Sequence, residues 1–290
     1  VQANHLYIHL MEASDPQRGE AAADRLANPL APSAAHLVHM PGHIYQLRGR
    51  HADSIRANIA AARADEAYIR SAGDHSLVRY GYYPHNVHFI VTSAQLAGDM
   101  ETAISEAERL RMLMDTDTSA RIGWVQIIEA SPYLAMAQFA APEAILAMPA
   151  PDARLPYATA MRHYARAVAY AQQRNKARFD GEIAAMDALT KADAFADLTA
   201  QLVPAVDLVA MAQEVARGRF STAEGRYDEA AGHYRQAIAI EGRIPYTEPP
   251  YWYYPVNQSL GAALFLAGKP AQASEAFRAA HAGATGLKFF

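Results

Sequence analysis

The stretch His36–Asp65, HLVHMPGHIYQLRGRHADSIRANIAAARAD, decides the fold. Gly42 is followed by Tyr45, then Gly49, then a helical run carrying Ala57 and Ala61. Small residues let two helices cross closely, and glycine at the turn can take the left-handed conformation that ends the first helix. The unit reads as helix, glycine turn, helix. Working outward, the pattern returns at Gln95–Leu110, with Gly98 at the turn and Ala103 five residues on. It returns again at Gly218–Ile240, with Gly225, Tyr227, Ala230, Tyr234 and Ala237, and at Leu260–Ala280, with Gly261, Gly268, Ala273, Phe277 and Ala280. Residues 115–200 read as helices without a clean motif. The expected class is all-α, built of antiparallel helix pairs. A bend near 141–156 separates a histidine-rich part, 1–140, from a continuous second part, 141–290.

Bulk properties agree with helices and remove several functions. The 290 residues are 51% hydrophobic, enough to bury a core, and alanine, which loses no side-chain entropy in a helix, is abundant. A formal charge of −4 and a pI near 6.3 leave no basic stripe for nucleic acid. No window is apolar enough for a membrane span. The absence of cysteine excludes disulfides and thiolate ligands but leaves the compartment, cytoplasmic or periplasmic, open. The chain starts at Val1 and enters a helical pattern at once, which reads as a processed or truncated form of a longer protein.

Chemistry concentrates in three histidine groups within the first 88 residues: His5 and His9; His36, His39 and His43; His85 and His88. Spacings of three, four and seven put each group on one helix face. His5 to His39 and His9 to His43 are both 34 residues, the period of a two-helix repeat, so the two pairs occupy matching places on successive first helices. Imidazoles on neighbouring helices can then meet at one ion, and seven exceed what one tetrahedral ion uses. A mono- or dinuclear site of a transition metal, copper, iron or zinc, is expected. Glu12, three residues after His9, is a candidate ligand, partner to an imidazole, or general base. Tyr82-Tyr83-Pro84-His85-Asn86 has a near copy at Tyr253-Tyr254-Pro255-Val256-Asn257, with valine in place of His85, so the turn itself does not require the imidazole. Pro41 between His39 and His43 removes one helix hydrogen bond, so either the helix begins at Pro41 with His36 and His39 on its lead-in, or it kinks at the site. Tyr82, Tyr83, Tyr251, Trp252 and Tyr253 are candidate pocket walls.

The phrases NHLYIHLMEAS, HLVHMPGHIYQLRGR and EPPYWYYPVNQSLGAAL resemble those of a group of bacterial tetratricopeptide-repeat proteins with longer N-termini. The resemblance implies a tetratricopeptide-like α-solenoid and names no reaction. Two functions follow as expectations. One is a histidine-ligated metalloenzyme, an oxidase or hydrolase acting on a small molecule. The other is a scaffold that binds a peptide or protein in its concave groove without catalysis.

Overall fold

The computed structural model describes residues 1–28 and 31–284, and among them every regular element is helical. The helices are α1 Gln2–Glu12, α2 Pro16–Leu26, α3 Ala35–His39, α4 Pro41–Leu47, α5 His51–Ala72, α6 Tyr83–Ala97, α7 Met100–Leu113, α8 Thr116–Arg121 and α9 Gly123–Phe139. They continue as α10 Pro142–Ala147, α11 Pro156–Gln172, α12 Lys176–Lys191, α13 Ala196–Ala200, α14 Ala205–Ala223, α15 Tyr227–Glu241, α16 Asn257–Leu266 and α17 Pro270–Ala284. A wider, π-type turn at Val78–Tyr82 leads into α6.

Two compact units divide the chain. One contains Val1–Thr118 and Tyr246–Tyr253; the other contains Ser119–Pro245 and Tyr254–His281. The division falls inside the stretch read from sequence as the histidine-rich part, and a short late segment groups with the first unit.

Local chemistry explains the element ends. Prolines open α2, α4, α6 and α11, where a missing N–H costs nothing. The Asp99 side chain accepts from the Thr102 amide at 3.1 Å and caps α7. Gly49 lies at φ 72° and Gly98 at φ 74°, the left-handed turns expected from sequence. The first helix of the His36–Asp65 unit is broken at Pro41 into α3 and α4, and Met40 keeps helical dihedrals, so the break is a kink. α13 and α14 are separate helices, because Leu202 is left-handed (φ 64°) and Pro204 restarts the chain at α14. The short α8 and α10 had no strong periodic signal.

In the first unit α1 packs on α2, α2 on α4, α3 and α4 on α5, and α5 on α6. Ile8, Ala22, Ala23, Leu26, Met40, Ile44 and Tyr45 form a core that fixes α1 against α4. One contact recurs in three helix pairs. A Cβ on Gly42 would meet Asn58 at 2.4 Å, one on Gly218 would meet Tyr234 at 2.6 Å, and one on Gly261 would meet Phe277 at 2.7 Å. The spacing is sixteen residues each time. The glycine lets the partner helix close in, and the facing side chain is aromatic in the last two pairs and asparagine in the first.

Candidate metal centre

All seven histidines singled out from sequence lie in the first unit, and the structure regroups them. The inner group is His39, His43 and His85; the outer group is His5, His9 and His36. Within each group one donor nitrogen per residue lies within 4.8 Å of the others. His39 and His43 are 1% and 3% exposed, whereas His36 is open to solvent. The pairs four residues apart stay together. The pairs three residues apart separate: His36 joins the outer group while His39 joins the inner, and His88 joins neither.

His88 is buried, and its Nδ1 has no hydrogen-bond partner. Burial alone pushes its imidazole down to about 3. Phe89 takes the place on the face of His85 that His88 was expected to fill. Its ring stacks on His43 at 5.1 Å and meets His39 edge-on at 4.8 Å. The step of four from His85 overshoots a full turn by about 40°, whereas the step of three falls short of it by about 60°.

The inner imidazoles are oriented from behind. His39 Nδ1 donates to Asn58 Oδ1 at 2.6 Å, which leaves Nε2 with its lone pair forward. His43 Nδ1 donates to Glu12 Oε2 at 2.5 Å and lies 3.2 Å from Glu248 Oε2. The two forward nitrogens, His39 Nε2 and His43 Nε2, approach to 2.6 Å. Two lone pairs cannot face each other at that distance, so a proton lies between them. Burial pushes His43 down, but hydrogen bonds and charge from Glu12 and Glu248 overcome this and raise it to about 9. His43 is therefore the cation that donates Nε2–H to His39. Burial holds His39 well below the ordinary imidazole range, reinforced by the charge of His43, and takes His85 to about 3.

Glu12, 7% exposed, connects the groups. Its Oε1 accepts from His9 Nδ1 at 2.9 Å while its Oε2 accepts from His43. In the outer group His5 Nε2 and His36 Nε2 are 3.1 Å apart, and His5 Nδ1 is buried without a partner. Partial desolvation of its ring among the cluster, then the neighbouring imidazoles, takes His36 to about 4. A third arrangement, His9, Glu12, His43 and Glu248, also brings four donors together.

The donor sets fit a borderline transition metal. Ligand nitrogens about 2.0–2.1 Å from a tetrahedral ion are about 3.3 Å apart. The observed 2.6 and 3.1 Å need only small ring rotations to open to that distance. The imidazole-rich chemistry suits copper, iron or zinc and is a poor match for magnesium or calcium. Comparison with protein-family models, curated proteins and solved structures returned no match to this chain.

The candidate pocket residues are dispersed. Tyr82 is half exposed, with its ring 6.3 Å from His36. Tyr83 instead donates to Glu66 at 2.7 Å and accepts from Arg109, among charged groups on α5 and α7. Trp252 and Tyr253 are buried with rings 4.9 Å apart, and Tyr251 is half-buried.

Three contributors were not placed at the histidine site by the sequence, although the loop Tyr246–Pro255 was a candidate wall or gate with Glu248 its only acid. Glu248 arrives from the aromatic loop more than two hundred residues after His43. Burial pushes its carboxyl up, but His43 brings it to about 2, so it stays ionised. Tyr246 donates to Glu248 at 3.2 Å from the same loop. Asn58 had a signal that went unused: it stands where Tyr234 and Phe277 stand in the later helix pairs.

Proposed function

We propose that this chain is a tetratricopeptide-like α-solenoid of the bacterial group whose phrases it shares, and a metalloprotein that works as an enzyme. Its site holds copper, iron or zinc among His39, His43 and His85, with His5, His9 and His36 alongside. The fold reading is supported by the glycine turns and by the close contact repeated at sixteen-residue spacing.

One observation carries the metal reading. His39 and His43 each give Nδ1–H to a buried acceptor while their Nε2 atoms converge. Metal-binding histidines have this arrangement, because the rear hydrogen bond fixes the tautomer and raises the basicity of the forward nitrogen. Without an ion the two forward nitrogens hold a proton between them, in the place an ion would take. Bound copper or iron supplies redox chemistry, and bound zinc supplies a Lewis acid and an activated water. The chain orients the ligands through Asn58 and Glu12, supplies negative charge through Glu12 and Glu248, and keeps bulk water off the inner group with Phe89. Glu12, held by two imidazoles, serves as a positioning group.

The test is elemental analysis of untagged protein. At least one equivalent of copper, iron or zinc is expected, reduced in His39→Ala with the second unit still folded. Metal-free protein that stays so after reconstitution would overturn the reading. The alternative is a scaffold binding a peptide or protein. It draws on Leu6 and Leu10, 59% and 66% exposed one turn apart on α1 beside the outer histidines. Partner binding that survives chelation and the His39→Ala change would favour it.

A further inference from the structure

We propose that the constellation holds two ions at once, one in the inner triad His39–His43–His85 and one in the outer triad His5–His9–His36, with Glu12 as the carboxylate that couples them. This rests on the metal reading above and goes beyond it in number, place and lability.

A neutral imidazole binds one ion through one nitrogen and donates N–H from the other. His9 and His43 both present Nδ1 to Glu12, one to each carboxylate oxygen, at 2.9 and 2.5 Å. Each is left with Nε2 for its own triad. One carboxylate thus fixes the tautomer of a ligand in both triads, the role that outer-sphere carboxylates play for metal-bound histidine. The mixed group of His9, Glu12, His43 and Glu248 draws on these same two imidazoles and on Glu12. It therefore competes with the triads and adds no third ion.

The triads abut. The His9 and His43 rings are 5.4 Å apart and those of His36 and His39 are 6.1 Å apart. Two dications at such separations repel, and the carboxylates of Glu12 and Glu248 lie against the same two imidazoles, where they offset that repulsion. The triads differ in access. His39 and His43 are buried, whereas His36 is exposed and the His9 side chain is 36% exposed. The outer ion is the one that exchanges with solvent and is open to a small oxygen- or nitrogen-donor ligand. The inner ion is retained.

The test uses the full chain, purified untagged, stripped of metal and titrated with cobalt(II), whose visible absorption reports nitrogen coordination. Circular dichroism checks the fold of each variant. The wild type is expected to take two equivalents, one lost quickly to a chelator and one slowly. His36→Ala should keep only the slow ion, and His85→Ala only the fast one. Glu12→Ala removes the acceptor from both N–H donors, so both ions should bind about 10–100-fold more weakly. Rescue by Glu12→Asp of even one site would support the coupling role. One or three equivalents in the wild type, or Glu12→Ala weakening only one ion, would overturn the two-ion proposal while leaving the metal reading intact. No binding at all would instead sink the metal reading.

Discussion

Replacing Asn58 with leucine separates ligand orientation from helix packing. Asn58 is fully buried on α5 and accepts from His39 Nδ1 at 2.6 Å; its amide also donates to the Ser54 carbonyl at 2.9 Å. Leucine has the same number of side-chain heavy atoms and the same branch at Cγ, with bulkier methyl tips, so Gly42 still meets a branched side chain on α5. The Nδ1–H of His39 loses its acceptor, and an unpaired buried donor costs about 1–3 kcal/mol. The ring then has no reason to keep its proton at the rear. Moving the proton to Nε2 satisfies neither end and removes the lone pair that an ion needs. Losses of this kind weaken metal by about 10–100-fold, or about 1.4–2.7 kcal/mol. Competition against a chromophoric chelator measures the affinity, and thermal unfolding of the metal-free protein measures the fold. The expected result is weaker metal together with a modest loss of stability. Unchanged affinity alongside a lowered melting temperature would show that Asn58 serves packing alone and would refute the reasoning.

Two further outcomes follow from the charge states. The inner ion displaces the Nε2 proton of His43, which is raised to about 9, while His39 and His85 are already neutral. About one proton should be released per inner ion at pH 7, with affinity rising about tenfold per pH unit and levelling near pH 9. Calorimetry in buffers of different ionisation enthalpy measures it; no proton release would contradict the assignment of His43 as the cation. The metal-free protein should also lose stability in acid. His88 is depressed to about 3, so below the ordinary value of 6.5 the unfolded chain binds a proton that the folded chain refuses. Its contribution is present above pH 6.5 and falls by about 1.4 kcal/mol per pH unit down to pH 3. His43 acts in the opposite sense: its contribution is full below 6.5 and is lost as pH rises to 9. Denaturant unfolding across pH should therefore give a maximum near 6.5, and His88→Leu should make the acid limb shallower by the slope of one proton, the other depressed imidazoles keeping the rest. An unchanged acid limb in that variant would contradict the burial argument.

Helices and glycine turns were legible in the sequence because they are local. The 34-residue offset between the His5/His9 and His39/His43 pairs correctly placed them on neighbouring helices, and the rings of His9 and His43 do meet. What failed was the assumption that a spacing of three keeps two side chains on one face as well as a spacing of four does. In a tightly shared site that difference sends His36 away from His39 and His88 away from His85. Glu248 was invisible for another reason: no periodicity links a loop carboxylate to an imidazole two hundred residues earlier. Asn58 was readable by aligning the helix pairs with one another and noting where an aromatic is replaced by an amide.

The most direct measurement is an anomalous difference map from crystals of the metal-loaded protein, recorded at the absorption edge of the metal found by elemental analysis. The account predicts a peak bound by His39 Nε2, His43 Nε2 and a nitrogen of His85. A peak only on the opposite side of His43, between Glu12 and Glu248, or none in the first unit, would contradict it.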